Sequence, residues 1–299
     1  MIYLNMKSTE EYIGLIKREF PGFGYREVRD IRIGWDHVIL IFDGERVFRF
    51  PKTAEYRERL SREAAFTAFL KTRTEISLPE YEFVAAGGSF GIYRMLPGEE
   101  LTLSVYTALP AKKKERIEEQ ISGFIKMLHG TPPADTGLAF PSENLREQAE
   151  TLSADTEKFL EPVLSKEEYA TAKKLIRAFL EMRVRTEDKA LVHNDLGPEH
   201  ILYDGNDRIS VIDFSDAAIG DISIDFTGIR LYGRPFFDRV CSLYGAGNRD
   251  DIFRRTEIFL GRAMVSLMID SFKGFPVNFS ESYADFRNFI DKFGDFSIL

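Results

Sequence analysis

The stretch LVHNDLGPEHILYDGNDRISVIDFSDAAIGD, residues 191–221, places seven acids and two histidines in thirty-one positions. Two short apolar runs inside it, Ile201-Leu202-Tyr203 and Ile209 to Ile212, read as strands. Asp195 follows an apolar pair, Leu191-Val192, and Asp213 follows the second run. Strand ends that feed loops are where a rigid scaffold presents chemical groups. Two carboxylates so placed suit phosphoryl transfer. One can hold Mg²⁺, which takes oxygen ligands and shares itself with substrate phosphates. The other can orient an attacking hydroxyl and take its proton late. Acids in loops also serve as turn and cap residues, and that is the reading for Asp204 and Asp207 in Asp204-Gly205-Asn206-Asp207.

A length of 299 residues suits two lobes or two domains. Hydrophobic residues at 44% and charged ones at 29% allow a sizeable core and argue against disorder. The formal net charge of −8 counts against a nucleic-acid binder. It serves solubility first, and its field also concentrates a small cationic partner. A single cysteine, Cys241, excludes an intrachain disulfide framework and a Cys-rich zinc site. Its apolar neighbours predict a buried thiol. No stretch approaches the roughly 18 apolar residues of a membrane span, and the N-terminus lacks a continuous apolar segment. The expected location is the cytoplasm.

Hydrophobic spacing predicts a helix over residues 8–20, with Ser8 and Glu11 as a capping box. Strands follow at 25–33, 38–42 and 46–50, the last two joined by Asp43-Gly44. A helix over 54–71 and strands at 81–86 and 89–96 complete this part, and Pro97-Gly98-Glu99-Glu100 breaks the pattern. Beyond it, helices are predicted over 112–129, 142–164, 166–185, 225–244, 250–272 and 281–293. The expected class is α+β: a small antiparallel-sheet lobe (1–96), a hinge (97–101) and a larger helical lobe (102–299).

The quoted stretch resembles the aminoglycoside phosphotransferase and choline-kinase-like family, small-molecule relatives of protein kinases. Their catalytic loop reads His-Gly-Asp with Asn or His following; here it is His193-Asn194-Asp195 and then His200. Their metal segment reads Ile-Asp-Phe or Ile-Asp-Trp, then Gly-Asp and a later Asp; here it is Ile212-Asp213-Phe214, Gly220-Asp221 and Asp225-Phe226. VFRFPK (47–52) resembles the third strand, with Arg49 where a phosphate-binding lysine usually stands, and Glu63 in SREAAF matches the helix glutamate that pairs with it. GIYRMLPGEEL (91–101) resembles the strand and hinge that hold the nucleotide base, which singles out Tyr93 and Met95. The wording resembles the 2″-type gentamicin-modifying members, which carry a run like Asp216 to Ile219.

The resemblance implies a protein-kinase-like fold and an Mg²⁺-dependent kinase that uses ATP or GTP on an aminoglycoside hydroxyl. Asp195 is the implied catalytic base, or the acidic residue that orients the hydroxyl. Asp213, with His200, is the implied metal site. Arg49 or Lys52, with Glu63, would hold the phosphates, and Asp216 would touch the substrate. A macrolide or another small hydroxylated metabolite is the alternative acceptor, and a kinase-like nucleotide-binding module the alternative class. The chain departs from the family pattern in three places. Gly34 is the only glycine between the first two strands. Arginine does not replace lysine where a compact charge is wanted. Arg230 and Arg234 follow Asp225, where several members carry acids. Of the remaining residues, His193 should brace the catalytic loop and His37 should sit in a turn. His129 should complement a helix dipole, Asp221 should cap the helix near Asp225, and Trp35 should cover the nucleotide or pack in the core.

Overall fold

Ser8 begins the first element with the predicted capping box. Its Oγ accepts from the Glu11 N–H at 3.2 Å while Glu11 Oε2 accepts from the Ser8 N–H at 2.6 Å, and α1 (Thr9–Glu19) follows. The structure is a computed structural model that describes residues 7–293. Residues 1–6 and 294–299, the outer ends of the two expected lobes, lie outside the described residues.

Five strands then build one antiparallel sheet. They are β1 (Val28–Ile31), β2 (His37–Phe42), β3 (Arg46–Pro51), β4 (Tyr81–Val84) and β5 (Gly91–Arg94), in the order β1-β2-β3-β5-β4, with α2 (Ala54–Lys71) between β3 and β4. Alternation divides the sheet into two faces. On one, Val38, Leu40, Phe42, Phe48, Phe50 and Ile92 pack with Tyr12, Ile13 and Ile16 of α1. The other carries Ile41, Val47 and Tyr93. The register pairs Ile39 with Arg49 and Ile41 with Val47, so Arg49 shares the second face. β1 is shorter than the predicted 25–33 span.

Past Arg94 the chain turns into β6 (Glu99–Glu100), α3 (Leu103–Ala108) and α4 (Ala111–His129). α3 is too short for apolar periodicity to reveal. α5 (Leu145–Asp155) continues into a π turn at Thr156–Leu160, so the predicted 142–164 helix is shorter and irregular. α6 (Lys166–Glu181) leads to β7 (Lys189–Val192), β8 (Ile201–Tyr203), β9 (Ile209–Val211) and β10 (Ala218–Asp221). β8 pairs with β6 and β9, and β10 pairs with β7, bringing Ala218 opposite Val192.

The predicted 225–244 helix is broken. A 3₁₀ turn (Ile222–Phe226) starts where Asp221 accepts the Ser223 N–H at 3.0 Å, the expected capping role. α7 (Thr227–Leu231) is then separated from α8 (Arg234–Tyr244) by Gly233, at φ +105°. α9 (Arg249–Phe272) and α10 (Phe279–Phe293) finish the chain. The main apolar core joins α2 and α4 to β7, β8, β9 and α8. Cys241 lies in it, fully buried, and burial pushes its thiol up to about 12. No helix among the described residues is long and apolar enough to cross a membrane.

Candidate active site

Arg49 is the point where the two halves of the site meet. Its strand neighbours Phe48 and Phe50 fill the α1 side, so its guanidinium enters the cleft. Nη1 donates to Glu63 Oε1 at 2.6 Å and to the Tyr81 hydroxyl at 3.2 Å. Nη2 donates to Asp213 Oδ1 at 2.9 Å and lies 3.1 Å from His37 Nδ1. Gly91 makes room for this arrangement, because a Cβ there would stand 2.7 Å from the Tyr81 ring. Glu63 comes from α2 and also accepts the Phe214 N–H at 3.4 Å; burial pushes its carboxyl up to about 7, against the pull of Arg49.

His37 differs from its expectation. It is the first residue of β2 rather than a turn residue, and it is buried. Burial, then Arg49, holds its imidazole well below the usual range, so a neutral ring can accept from Arg49. Lys52 lies just past β3 and turns the other way. Its Nζ donates to the carbonyls of Arg32, at 3.1 Å, and Gly34, bracing the turn before β2. Tyr93 is buried beside Ile41 and Val47, while Met95 is exposed and its N–H is bonded to the Glu45 carbonyl at 2.8 Å.

The catalytic-loop candidates are set by the helical half. Asp225 is fully buried and accepts the N–H groups of His193 at 2.9 Å and Asn194 at 2.8 Å. His129 Nε2 meets the same carboxylate at 3.0 Å. His129 is therefore a buried brace, not the dipole partner that its place at a helix end suggested. His193 is fully buried, with Nε2 3.0 Å from the Ile212 carbonyl, and burial lowers its imidazole to about 4; it braces the loop as expected. Gly228 in α7 lets that helix approach, since a Cβ there would be 2.2 Å from the Leu196 carbonyl oxygen.

Asn194 and Asp213 have φ of +71° and +64°. Few side chains adopt this conformation, and Asn and Asp are the two that tolerate it best. Held by the surrounding bonds, it aims the residues on either side.

Asp195 faces the cleft with 52% of its side chain open. The concave surroundings, chiefly through burial, raise its carboxyl, with Asp216, Glu199 and Asp213 adding and His200 opposing. Asp213 goes the other way: against its burial, Arg49, then His200 and His37, hold it well below the usual carboxylate range. His200 Nδ1 is 2.7 Å from the Asp195 carbonyl oxygen, and its Nε2 is 3.9 Å from Asp213 Oδ2. Against its burial, Asp195 and then Asp213 raise the His200 imidazole; in the neutral ring, with the Nδ1 proton in that bond, Nε2 offers a lone pair beside an ionised carboxylate. These two groups fit a divalent cation, although Mg²⁺ favours the oxygen over the nitrogen. Among the described residues, one group of three possible ligands lies within 4.8 Å: Asp195, Glu199 and His200. Sequence reasoning did not single out Glu199.

The cleft has a volume of about 850 Å³, and Asp36, Glu143, Glu199, Asp216 and Asp270 join Asp195 and Asp213 in lining it. Burial, then Asp216 and Asp213, pushes the Asp36 carboxyl up to about 6. Arg49, Arg59 and Arg262 are the lining residues of opposite charge. Asp216 accepts from Arg59. Trp35 does not pack in a core; it lines the cleft, and its ring stacks on Phe275 with centroids 5.0 Å apart. Arg230 and Arg234 are absent from the cleft lining. Arg230 is turned onto Glu257 at 2.5 Å and Arg234 onto Asp238 at 2.8 Å.

The phosphotransferase enzyme family (APH) matches residues 27–258. A solved structure of an APH(2″) enzyme in complex with GDP and kanamycin superposes with a TM-score of 0.84 at 23% identity, covering 95% of this chain and 99% of that one. The ADP-bound aminoglycoside phosphotransferase APH(2″)-Ib gives 0.70 at 21%, covering 95% and 97%. A macrolide 2′-phosphotransferase type I gives 0.68 at 19%, covering 95% and 99%. At these identities the likeness to solved structures is one of fold, and the family match over 27–258 decides membership. The chain belongs to the phosphotransferase enzyme family, kinase-like enzymes that phosphorylate a hydroxyl group.

Proposed function

We propose that this chain transfers the γ-phosphoryl group of ATP or GTP to a hydroxyl of an aminoglycoside, with Mg²⁺. The observation that carries the reading is the chain of contacts from Glu63 through Arg49 to Asp213, beside an open Asp195 in an acid-lined cleft. Arg49 supplies the phosphate-binding cation, positioned by Glu63. Tyr93 and Met95 border the base, with residues 97–101 as the hinge. Asp213 and His200 would hold the Mg²⁺, which when bound neutralises charge on the phosphates. Asp195 orients the attacking hydroxyl and takes its proton, and its raised carboxyl is closer to a working base than an ordinary aspartate. Asp216, Asp36 and Glu143 offer charge-assisted hydrogen bonds to ammonium groups.

The cleft also concentrates cations electrostatically, an effect that falls with ionic strength. Arg230 and Arg234, turned away from it, do not oppose this. A macrolide acceptor is the second reading, favoured by the likeness to a macrolide phosphotransferase. Nucleotide consumption with kanamycin-, gentamicin- and neomycin-type compounds, a macrolide and a choline-like alcohol decides between them. A true substrate should reach a kcat/KM of at least about 10⁴ M⁻¹s⁻¹, with KM rising as salt is added. Turnover of the macrolide alone would overturn the aminoglycoside assignment and leave the fold and mechanism standing.

A further inference from the structure

Arg59 stands in α2 one helical turn before Glu63, yet its contacts differ from those of the phosphate end. Its Nη2 donates to Glu55 Oε1 at 2.6 Å, and its Nη1 reaches across the cleft to Asp216 in the loop between β9 and β10. Asp36, from the turn before β2, approaches the same loop, its Oδ2 3.3 Å from the Ser215 hydroxyl. Trp35 crosses to Phe275, beyond α9. Both sequence-distant ties and Arg59 itself join the sheet lobe to the helical lobe around the acid-lined cleft.

We propose that Arg59 is a tethered substitute for the acceptor's cation: it latches the two lobes by occupying Asp216, and a cationic acceptor must displace it. The inference rests on the proposed cationic acceptor. Its physical basis is the difference between the two arginines. Arg49 is 3% exposed and enclosed by its partners, whereas the Arg59 side chain is 29% exposed and that of Asp216 is 40% exposed. Ion pairs this open are weak, because water screens them and the long side chains lose freedom. An incoming ammonium meets the same carboxylate with equal charge. An acceptor carrying several such groups gains further bonds from the surrounding acids, which a single guanidinium does not. A neutral acceptor has nothing to exchange for Arg59. The latch therefore selects for charge, and it lowers apparent affinity by the fraction of molecules in which it is closed. Arg59 acts here as a specificity-determining residue.

The test is acceptor binding without nucleotide, so that turnover is not required. The probe is a kanamycin-type polyamine. It is followed by calorimetry and by the emission of Trp35, the chain's only tryptophan. Arg59→Gln should tighten binding roughly three- to fivefold, while nucleotide affinity, measured separately by calorimetry, stays constant. Asp216→Asn should weaken binding, and adding Arg59→Gln to it should change nothing further. Without any ligand, Arg59→Gln should speed hydrogen exchange of the Ala217 amide, which is bonded to the Phe214 carbonyl in the latched loop. If the polyamine binds but Arg59→Gln leaves its affinity unchanged or weaker, the competition is wrong while the proposed acceptor stands. Weakened nucleotide binding by Arg59→Gln would also overturn the latch and make Arg59 a phosphate contact. If the Ala217 amide responds but no polyamine binds to the wild type, the acceptor class fails and takes the competition with it.

Discussion

Two buried arginines, Arg49 and Arg255, differ in that one borders the cleft and the other does not. Arg49 meets Glu63 at 2.6 Å and Asp213 at 2.9 Å, with His37 and the Tyr81 hydroxyl completing its surroundings. Arg255, in α9, is fully buried and meets Asp188 at 2.9 Å, Asp221 at 3.4 Å and Asp251 at 3.5 Å. Each network pairs one buried guanidinium with more than one carboxylate. They differ in their boundary. Asp213 is 33% exposed to the cleft and sits at a left-handed φ of +64°, so its carboxylate is shared between Arg49 and whatever enters. Asp221 is fully buried, and its network ties α9 to the start of the 3₁₀ turn. A sealed charge network is matched to fixed partners, and removing one partner strands the others. An open one keeps an ionised group available for a ligand.

The comparison can be broken most directly at Asp195, where the largest effect is expected. Asp195→Asn keeps the shape and removes the proton acceptor, and kcat should fall by about 10² to 10⁴ with little change in Tm. Equal turnover by wild type and variant would remove Asp195 from the chemistry. At the sealed network the outcome should be reversed. Arg255→Ala strands the buried Asp221, while Asp188 keeps Arg185 and Asp251 keeps Arg254, and it should cost about 3–5 kcal/mol of stability, measured by denaturant unfolding. The activity per folded molecule should remain near wild type.

The next effect sharpens the open network alone. Arg49→Ala should raise the nucleotide KM about tenfold or more, equivalent to ~1.4 kcal/mol. Lys52→Ala should raise it less than about threefold, because Lys52 faces the carbonyls of Arg32 and Gly34. The opposite ranking would move the phosphate role to Lys52.

The smallest effect lies far from the cleft, where α10 docks on α6. Glu168 accepts from the Tyr283 hydroxyl at 2.7 Å and from Arg287 at 2.9 Å. Hydrogen bonding, that of Tyr283 first, lowers its carboxyl to about 2. A lowered folded-state value means stability that is present above the unfolded value of 4.5 and lost as pH falls toward 2. Tyr283→Phe should cost about 1–2 kcal/mol at neutral pH, and the difference from wild type should shrink across that acid window. A pH-independent difference would assign the effect to packing.

Much of the site was legible because its signals are local. Asp195 and Asp213 each follow a short apolar strand, and the order of the motifs containing them needs no tertiary information. Glu63, with Arg49 or Lys52, was singled out by the resemblance of its segment to a known family, and the structure brings Glu63 and Arg49 to 2.6 Å. The choice between Arg49 and Lys52 was not legible, since it depends on the register of β3 against β2. The roles of His37 and His129 were hidden for a related reason. Position in an element suggests a turn or a helix end, whereas each side chain is explained by a distant partner, Arg49 or Asp225. Asp36, Arg59 and Glu199 gave no motif and became visible only as neighbours in one cleft.

The amino-acid sequence alone determined the α+β class, most of the elements and the placing of Asp195 and Asp213 just past short apolar strands. Capping, apolar periodicity and strand-to-loop placement act over a few residues. The tertiary structure alone decided that β10 exists, that Gly233 divides a helix, that Arg230 and Arg234 face away from the cleft, and that Arg59 crosses it to Asp216. Each of these depends on groups far apart in the chain, 157 positions for Arg59 and Asp216. Only folding sets the distances and the loss of water that give such pairs their energy.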